Sequence, residues 1–208
     1  MDMTALAGLA FFASVAAFTP GPNNVMLASS GATFGFRRSL PHILGVIVGF
    51  TIMVLAAGFG FASILNAMPA LHTTMRLAGI GFLVFLAWKI GTAGRPSQHG
   101  KSTPLSFMQG AVFQLINPKG LTLVASIIAI YSSGAENVAK EMQVILPLLV
   151  SLTAISACTW CLFGKLIGRL LTADIALRRF NILMAALLIL SLIPILPGVA
   201  AVQQVAVQ

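Results

Sequence analysis

Long apolar stretches run through this chain and are parted by short polar breaks. A helix that crosses a membrane needs about 20 apolar residues, whereas a barrel strand needs about 10 in strict alternation. The stretches here do not alternate, so they predict helices. Six spans are expected, at residues 4–33, 41–65, 70–91, 105–132, 142–166 and 179–197. The first is interrupted by Thr19-Pro20-Gly21-Pro22-Asn23-Asn24 and the fourth by Asn117-Pro118-Lys119-Gly120. Residues 92–103, with their Gly, Pro and Ser, predict a surface linker between the third and fourth spans. Residues 4–18 also have the look of a signal-peptide core. No Lys or Arg precedes them, and Asp2 has the wrong sign, so a retained first span is expected.

Composition sharpens this picture. Apolar types make up 58% of the 208 residues and charged types 8%, with a mean hydropathy of +0.99. A soluble domain carries about 25% charged residues. So few charges cannot solvate a globule in water, and six spans leave no room for a separate soluble domain. The expected fold class is all-α, a polytopic membrane protein forming one domain over residues 1–208.

The net charge of +8 does not point to nucleic acid, because the basic residues sit at span ends, where they act as topology signals. Arg37, Arg38, Lys89, Arg95, Lys101, Lys165, Arg169, Arg178 and Arg179 fall on one side of a six-span layout, and Arg76 and Lys140 on the other. Lys119 belongs to neither side. The basic side is cytoplasmic by the positive-inside rule, so both termini are expected outside a bacterial inner membrane. The two interrupted spans open two halves, residues 1–91 and 105–199, and run in opposite directions. Pro20 in one and Pro118 in the other lie nearly half the chain apart. This predicts a three-plus-three inverted repeat, the layout of many secondary transporters.

The breaks are the candidate site. Pro20 and Pro22 remove two backbone donors, and Gly21 loosens the chain between them. The carbonyls and amides so freed cannot face lipid, where each would cost several kcal/mol. They must line a cavity or be met by side chains such as Asn23 and Asn24. The half-helix after Pro22 points its positive dipole end at that cavity. A carboxylate suits the amides after Pro22 together with Asn23, Asn24 and Lys119. An ammonium suits the carbonyls before Pro20 and the face formed by Gln114 and Asn117. That pair of charges describes a zwitterionic amino acid. Lys119, near mid-bilayer, costs about 2.5–3.5 kcal/mol on insertion scales and should face the interior. It is expected to attract a substrate carboxylate or a helix C-terminus. The candidate substrate-binding residues are therefore Pro20, Gly21, Pro22, Asn23, Asn24, Gln114, Asn117, Pro118 and Lys119.

Other features carry less. The acidic residues are Asp2, Glu136, Glu141 and Asp174, all at expected ends or loops. Proton coupling would then use Lys119, His42 or water. Cys158-Thr159-Trp160-Cys161 lies within an apolar span with no second Cys pair, and reads as buried structural cysteine. The pairs Gly31/Gly35, Gly45/Gly49 and Gly164/Gly168 allow close helix packing, within the bundle or at a homodimer face. No HExxH, GxSxG or P-loop is present, so neither an enzyme nor an ATP-driven pump is expected. No cofactor and no bound metal is expected.

Thr19-Pro20-Gly21-Pro22-Asn23-Asn24 resembles the signature of the LysE/RhtB family of amino-acid exporters. So do Gly35-Phe36-Arg37-Arg38, Leu86-Ala87-Trp88-Lys89 and Asn117-Pro118-Lys119. The resemblance covers nearly the whole chain and is strongest to the cysteine/O-acetylserine exporter branch. It implies proton-coupled antiport that moves amino acids or their derivatives out of the bacterial cytoplasm; the residues alone do not fix direction. A related branch carries electrons through cysteines on its first and fourth helices, where this chain has Pro, Gly, Asn and Lys. Two alternatives stand beside export: a membrane thiol-redox protein using Cys158 and Cys161, and a heavy-metal exporter. The second is disfavoured because the spans hold no acidic ligand and their histidines, His42 and His72, sit near span ends.

Overall fold

The computed structural model describes residues 3–60, 69–93, 103–131, 138–171 and 173–190. These residues form eight helices: α1 (Met3–Phe18), α2 (Pro22–Phe34), α3 (Phe36–Gly58), α4 (Pro69–Gly91), α5 (Phe107–Ile116), α6 (Pro118–Tyr131), α7 (Val138–Leu170) and α8 (Asp174–Leu190). Most of the expected linker, with Arg95, His99 and Lys101, lies outside the described residues. So do Asp2, Glu136 and the ends of the second and sixth expected spans, at 61–65 and 191–197.

Helices Phe36–Gly58 and Ala139–Leu170 are each long and apolar enough to cross a membrane. The pairs α1/α2 and α5/α6 reach that length only together, and they bend by 52° and 56° at their breaks. Two to four spans therefore meet the demands of a bilayer among the described residues, and the chain is a multi-pass membrane protein. The third and sixth expected spans correspond to α4 and α8, which pack on each other. Helix α8 is described for 17 residues.

Both interruptions fall where the sequence placed them, and their chemistry explains why. Pro22 and Pro118 each occupy the first position of the second half-helix, where a missing N–H costs nothing. Pro22 and Pro118 thus hold the same position in their half-helices, whereas the sequence reading set Pro20 beside Pro118. Elsewhere the helices outrun expectation. Helix α3 begins at Phe36, not at residue 41, because the turn from α2 is made by Gly35 alone. Its φ of 77° is a conformation that glycine adopts without strain, and its N–H closes α2 on the Gly31 carbonyl at 3.0 Å. Helix α7 runs 33 residues, or about 50 Å, well past a hydrocarbon core of about 30 Å.

Helix α2 lies at the centre. Ten of its 13 residues are buried, against two of 16 in α1. It packs on α7 through backbone: a Cβ on Gly31 would overlap the Cys161 carbonyl, and one on Gly164 or Gly168 the carbonyl of Ala28 or Ala32. Helix α3 meets α5 in the same way, with Gly45 against the Phe107 carbonyl and Gly49 against that of Ala111. The glycine pairs 45/49 and 164/168 thus serve close packing within the bundle. In the remaining pair, Gly31 packs while Gly35 turns. Around the far ends of α1, α3, α6 and α7 a cluster of buried side chains takes over, with Leu9, Phe50, Ile127, Ile145 and Leu149 among them.

Candidate functional site

The two breaks meet. A cavity of about 60 Å³ lies between them, lined by Gly21, Asn23, Asn24, Gln114, Asn117 and Lys119 from the sequence-derived set. Pro20, Pro22 and Pro118 shape the breaks but do not line it. The lining also holds Ala16 and Ala17 of α1, Phe50 of α3, Gly120 and Leu123 of α6, and Thr153 and Ser156 of α7. The sequence reading missed this second group. Thr153 and Ser156 were legible in principle: two polar residues three apart in an apolar span share a face.

The last turn of α1 leaves carbonyls without helical partners. Side chains satisfy them. Asn24 Nδ2 donates to the carbonyls of Ala17 and Thr19, both at 2.9 Å. Ser156 Oγ donates to the Ala17 carbonyl at 2.7 Å, and Lys119 Nζ to the Thr19 carbonyl at 2.6 Å. The ammonium thus sits on the negative end of the α1 dipole, an arrangement worth about 0.3–1 kcal/mol when exposed and more when dry. Lys119 also lies so close over Gly21 that a Cβ there would come within 2.8 Å of its Cδ. Asn24 ties the two sides of the break together, and the Ala17 and Thr19 carbonyls each carry two donors.

What stays open in the cavity is specific. Asn117 donates to Gln114 Oε1 at 3.1 Å, yet its own Oδ1 is buried without a partner. Asn23 Oδ1 is likewise buried and unpartnered. An orphaned acceptor costs about 1–3 kcal/mol. Helices α2 and α6 both start at this cavity, so their unpaired first-turn amides lie at its edge. Among the described residues the lining contains one cation, Lys119, and no carboxylate. The cavity can therefore offer an anion one ammonium and two helix N-termini, and offer a cation two amide oxygens.

The cysteines lie elsewhere. Cys158 and Cys161 are free thiols, and Cys161 is buried among Leu27, Ile43, Val46 and Ala157. Among the described residues no three His, Cys, Asp or Glu side chains gather as a metal site. A second polar network, absent from the sequence reading, surrounds Asn181 of α8. It accepts from Ser29 Oγ at 3.0 Å and donates to Thr33 Oγ1 at 2.9 Å and the Ala93 carbonyl at 3.0 Å.

The chain is similar in sequence to known translocators. The family described as LysE type translocator matches residues 14–193. The chain is 30% identical over 190 residues to the cysteine/O-acetylserine efflux protein of Escherichia coli strain K12, covering 91% of this chain and 96% of that protein. The protein of the same name from Shigella sonnei matches to the same extent. No solved structure matches. Translocators move solutes and are not enzymes, and a match across this much of the sequence leaves one conclusion: the chain belongs to the LysE family of translocators.

Proposed function

We propose that this protein is a secondary exporter of a small polar amino acid or amino-acid derivative, with its substrate site in the cavity between the two breaks. The observation that carries this reading is the pair of orphaned oxygens, Asn23 Oδ1 and Asn117 Oδ1, in a cavity where Lys119 is the one charge among the described residues. A zwitterion answers both. Its carboxylate takes the free hydrogens of Lys119 and the first-turn amides of α2 and α6. Its ammonium donates to the two amide oxygens, and Gln114 holds Asn117 in orientation for this. The names of the similar proteins, which are cysteine/O-acetylserine efflux proteins, favour a small polar substrate and outward movement.

The wider frame is a three-plus-three inverted repeat of six spans in a bacterial inner membrane, with both termini outside. The two halves rock about the site to alternate access. Coupling to protons follows from the family resemblance. The membrane orientation rests on the asymmetry of Lys and Arg between the two sides.

The test is efflux from cells lacking their own exporters, followed by inhibition in everted vesicles. Asn117→Leu should weaken the amino acid by about tenfold, as loss of a charge-assisted hydrogen bond does, and leave inhibition by its des-amino analogue unchanged. Lys119→Met should weaken both ligands. Export at wild-type strength by both variants would remove the site from the breaks.

A further inference from the structure

A second cavity, of about 190 Å³, lies at the basic end of the bundle. Its walls come from α2, from the C-terminal end of α4 and from the segment before α5. Ser29, Ser30, Lys89 and Thr103 line it with polar groups, beside Trp88 and Met26. Among the described residues, as in the central cavity, the lining holds one cation and no carboxylate. Lys89 is held in place. Its Nζ donates to Gln109 Oε1 at 3.0 Å, and that oxygen also accepts the Ser106 amide at 3.1 Å within the cap that starts α5. Ser30 is oriented by His42, whose Nδ1 lies 3.3 Å from its hydroxyl.

The two cavities share one face of α2. Asn23, Met26, Ser30 and Phe34 follow at spacings of three, four and four, a single stripe along the helix. Asn23 lines the central cavity, and Met26, Ser30 and Phe34 line the second. Met26 is fully buried and belongs to the same buried cluster as Phe113, the neighbour of Gln114 on α5. Met is the apolar side chain that repacks most readily, with three rotatable bonds and no branch.

We infer that this cavity is a loading site for the amino acid on the cytoplasmic side, where Lys89 takes the substrate carboxylate before Met26 and Phe113 yield to the central site. The inference rests on the reading of the central cavity as a transport site and on the basic end being cytoplasmic. Hydroxyls of Ser29, Ser30 and Thr103 complete the polar wall. Trp88, a lining residue two-thirds exposed, supplies an indole close enough to sense a change at this cavity.

The chain has two tryptophans, so Trp160→Phe leaves Trp88 as the sole indole. The full-length Trp160→Phe protein, in detergent, is titrated with O-acetyl-L-serine while Trp88 emission is followed. A saturable change is expected, and its midpoint should stay put when Asn117→Leu weakens the central site by about tenfold. Lys89→Gln, eluting as a folded protein, should weaken the response by about tenfold, and Lys89→Arg should restore it. Gln109→Ala frees the lysine from its tether but keeps the charge, so it should change affinity less than about threefold. Equal damage from Gln109→Ala and Lys89→Gln would make Lys89 a structural strut and overturn the inference. A response lost in Asn117→Leu but kept in Lys89→Gln would place binding in the central cavity alone. No response at all, with export still sensitive to Asn117→Leu, would leave the central site standing without a loading site. No response and no such sensitivity would sink both.

Discussion

The two ends of this bundle are held together by different physics. At the basic end, α2 meets α7 and α3 meets α5 through glycines, backbone on backbone. At the other end, α1, α3, α6 and α7 meet through side chains, in a cluster that includes Leu9, Phe50, Ile127, Ile145 and Leu149. Even the glycines there face side chains: Gly8 the hydroxyl of Tyr131, Gly58 the thioether of Met142. In a bilayer the hydrophobic effect does not drive helices together, because lipid is as apolar as leucine. Close backbone approach then gives dense dispersion contacts that admit no extra atom. Interdigitated side chains can shift rotamers and let an interface reform. The comparison marks the basic end as the rigid part of the described structure and the opposite end as the adaptable part.

The largest effect should come from Gly164→Val. Its Cβ would overlap the Ala28 carbonyl, which belongs to a helix buried on nearly every side. Overpacking costs about 1–3 kcal/mol where neighbours can move, and more where they cannot, so loss of about 3 kcal/mol or more is expected. Thermal unfolding in detergent, followed by size-exclusion, would show it as a midpoint lowered by on the order of 10 °C. A smaller loss should follow Ile145→Ala in the opposite end, about 2 kcal/mol, because the cavity left can be refilled by neighbouring side chains. A cost equal to that of Gly164→Val would erase the distinction between the ends. The smallest effect belongs to Gly8→Ala. Its Cβ would sit 3.2 Å from the Tyr131 hydroxyl, the tip of a movable side chain, so a change below about 0.5 kcal/mol is expected in the same assay.

The site shows the same division between what could and could not be read in advance. Gly21, Asn23, Asn24, Gln114, Asn117 and Lys119 announced themselves, because polar and helix-breaking residues in mid-span have no place in lipid. The partners of these residues did not. That Asn24 serves the carbonyls of Ala17 and Thr19 depends on how sharply the chain bends at Gly21, and no pattern of residue types encodes a bend of 52°. Ser156 and Lys119 reach the same carbonyls from α7 and α6, across 139 and 100 residues of chain. Asn181 was passed over because a single Asn in an apolar run has no partner visible along the sequence.

The sequence by itself determined a multi-pass helical membrane protein, the two breaks and the family resemblance. Each of these follows from local chemistry: segment length against bilayer thickness, proline against the helical hydrogen bond, and motifs read in order. Only the tertiary structure decided that the breaks face one another and that Gly35 turns the chain while Gly31 packs. Only it left Asn23 and Asn117 with free oxygens and placed a second cavity further along the same face of α2. Those facts depend on which residues from distant segments compete for the same hydrogen bond or the same few ångströms of space. Such competition is settled by folding, not by the order of residues.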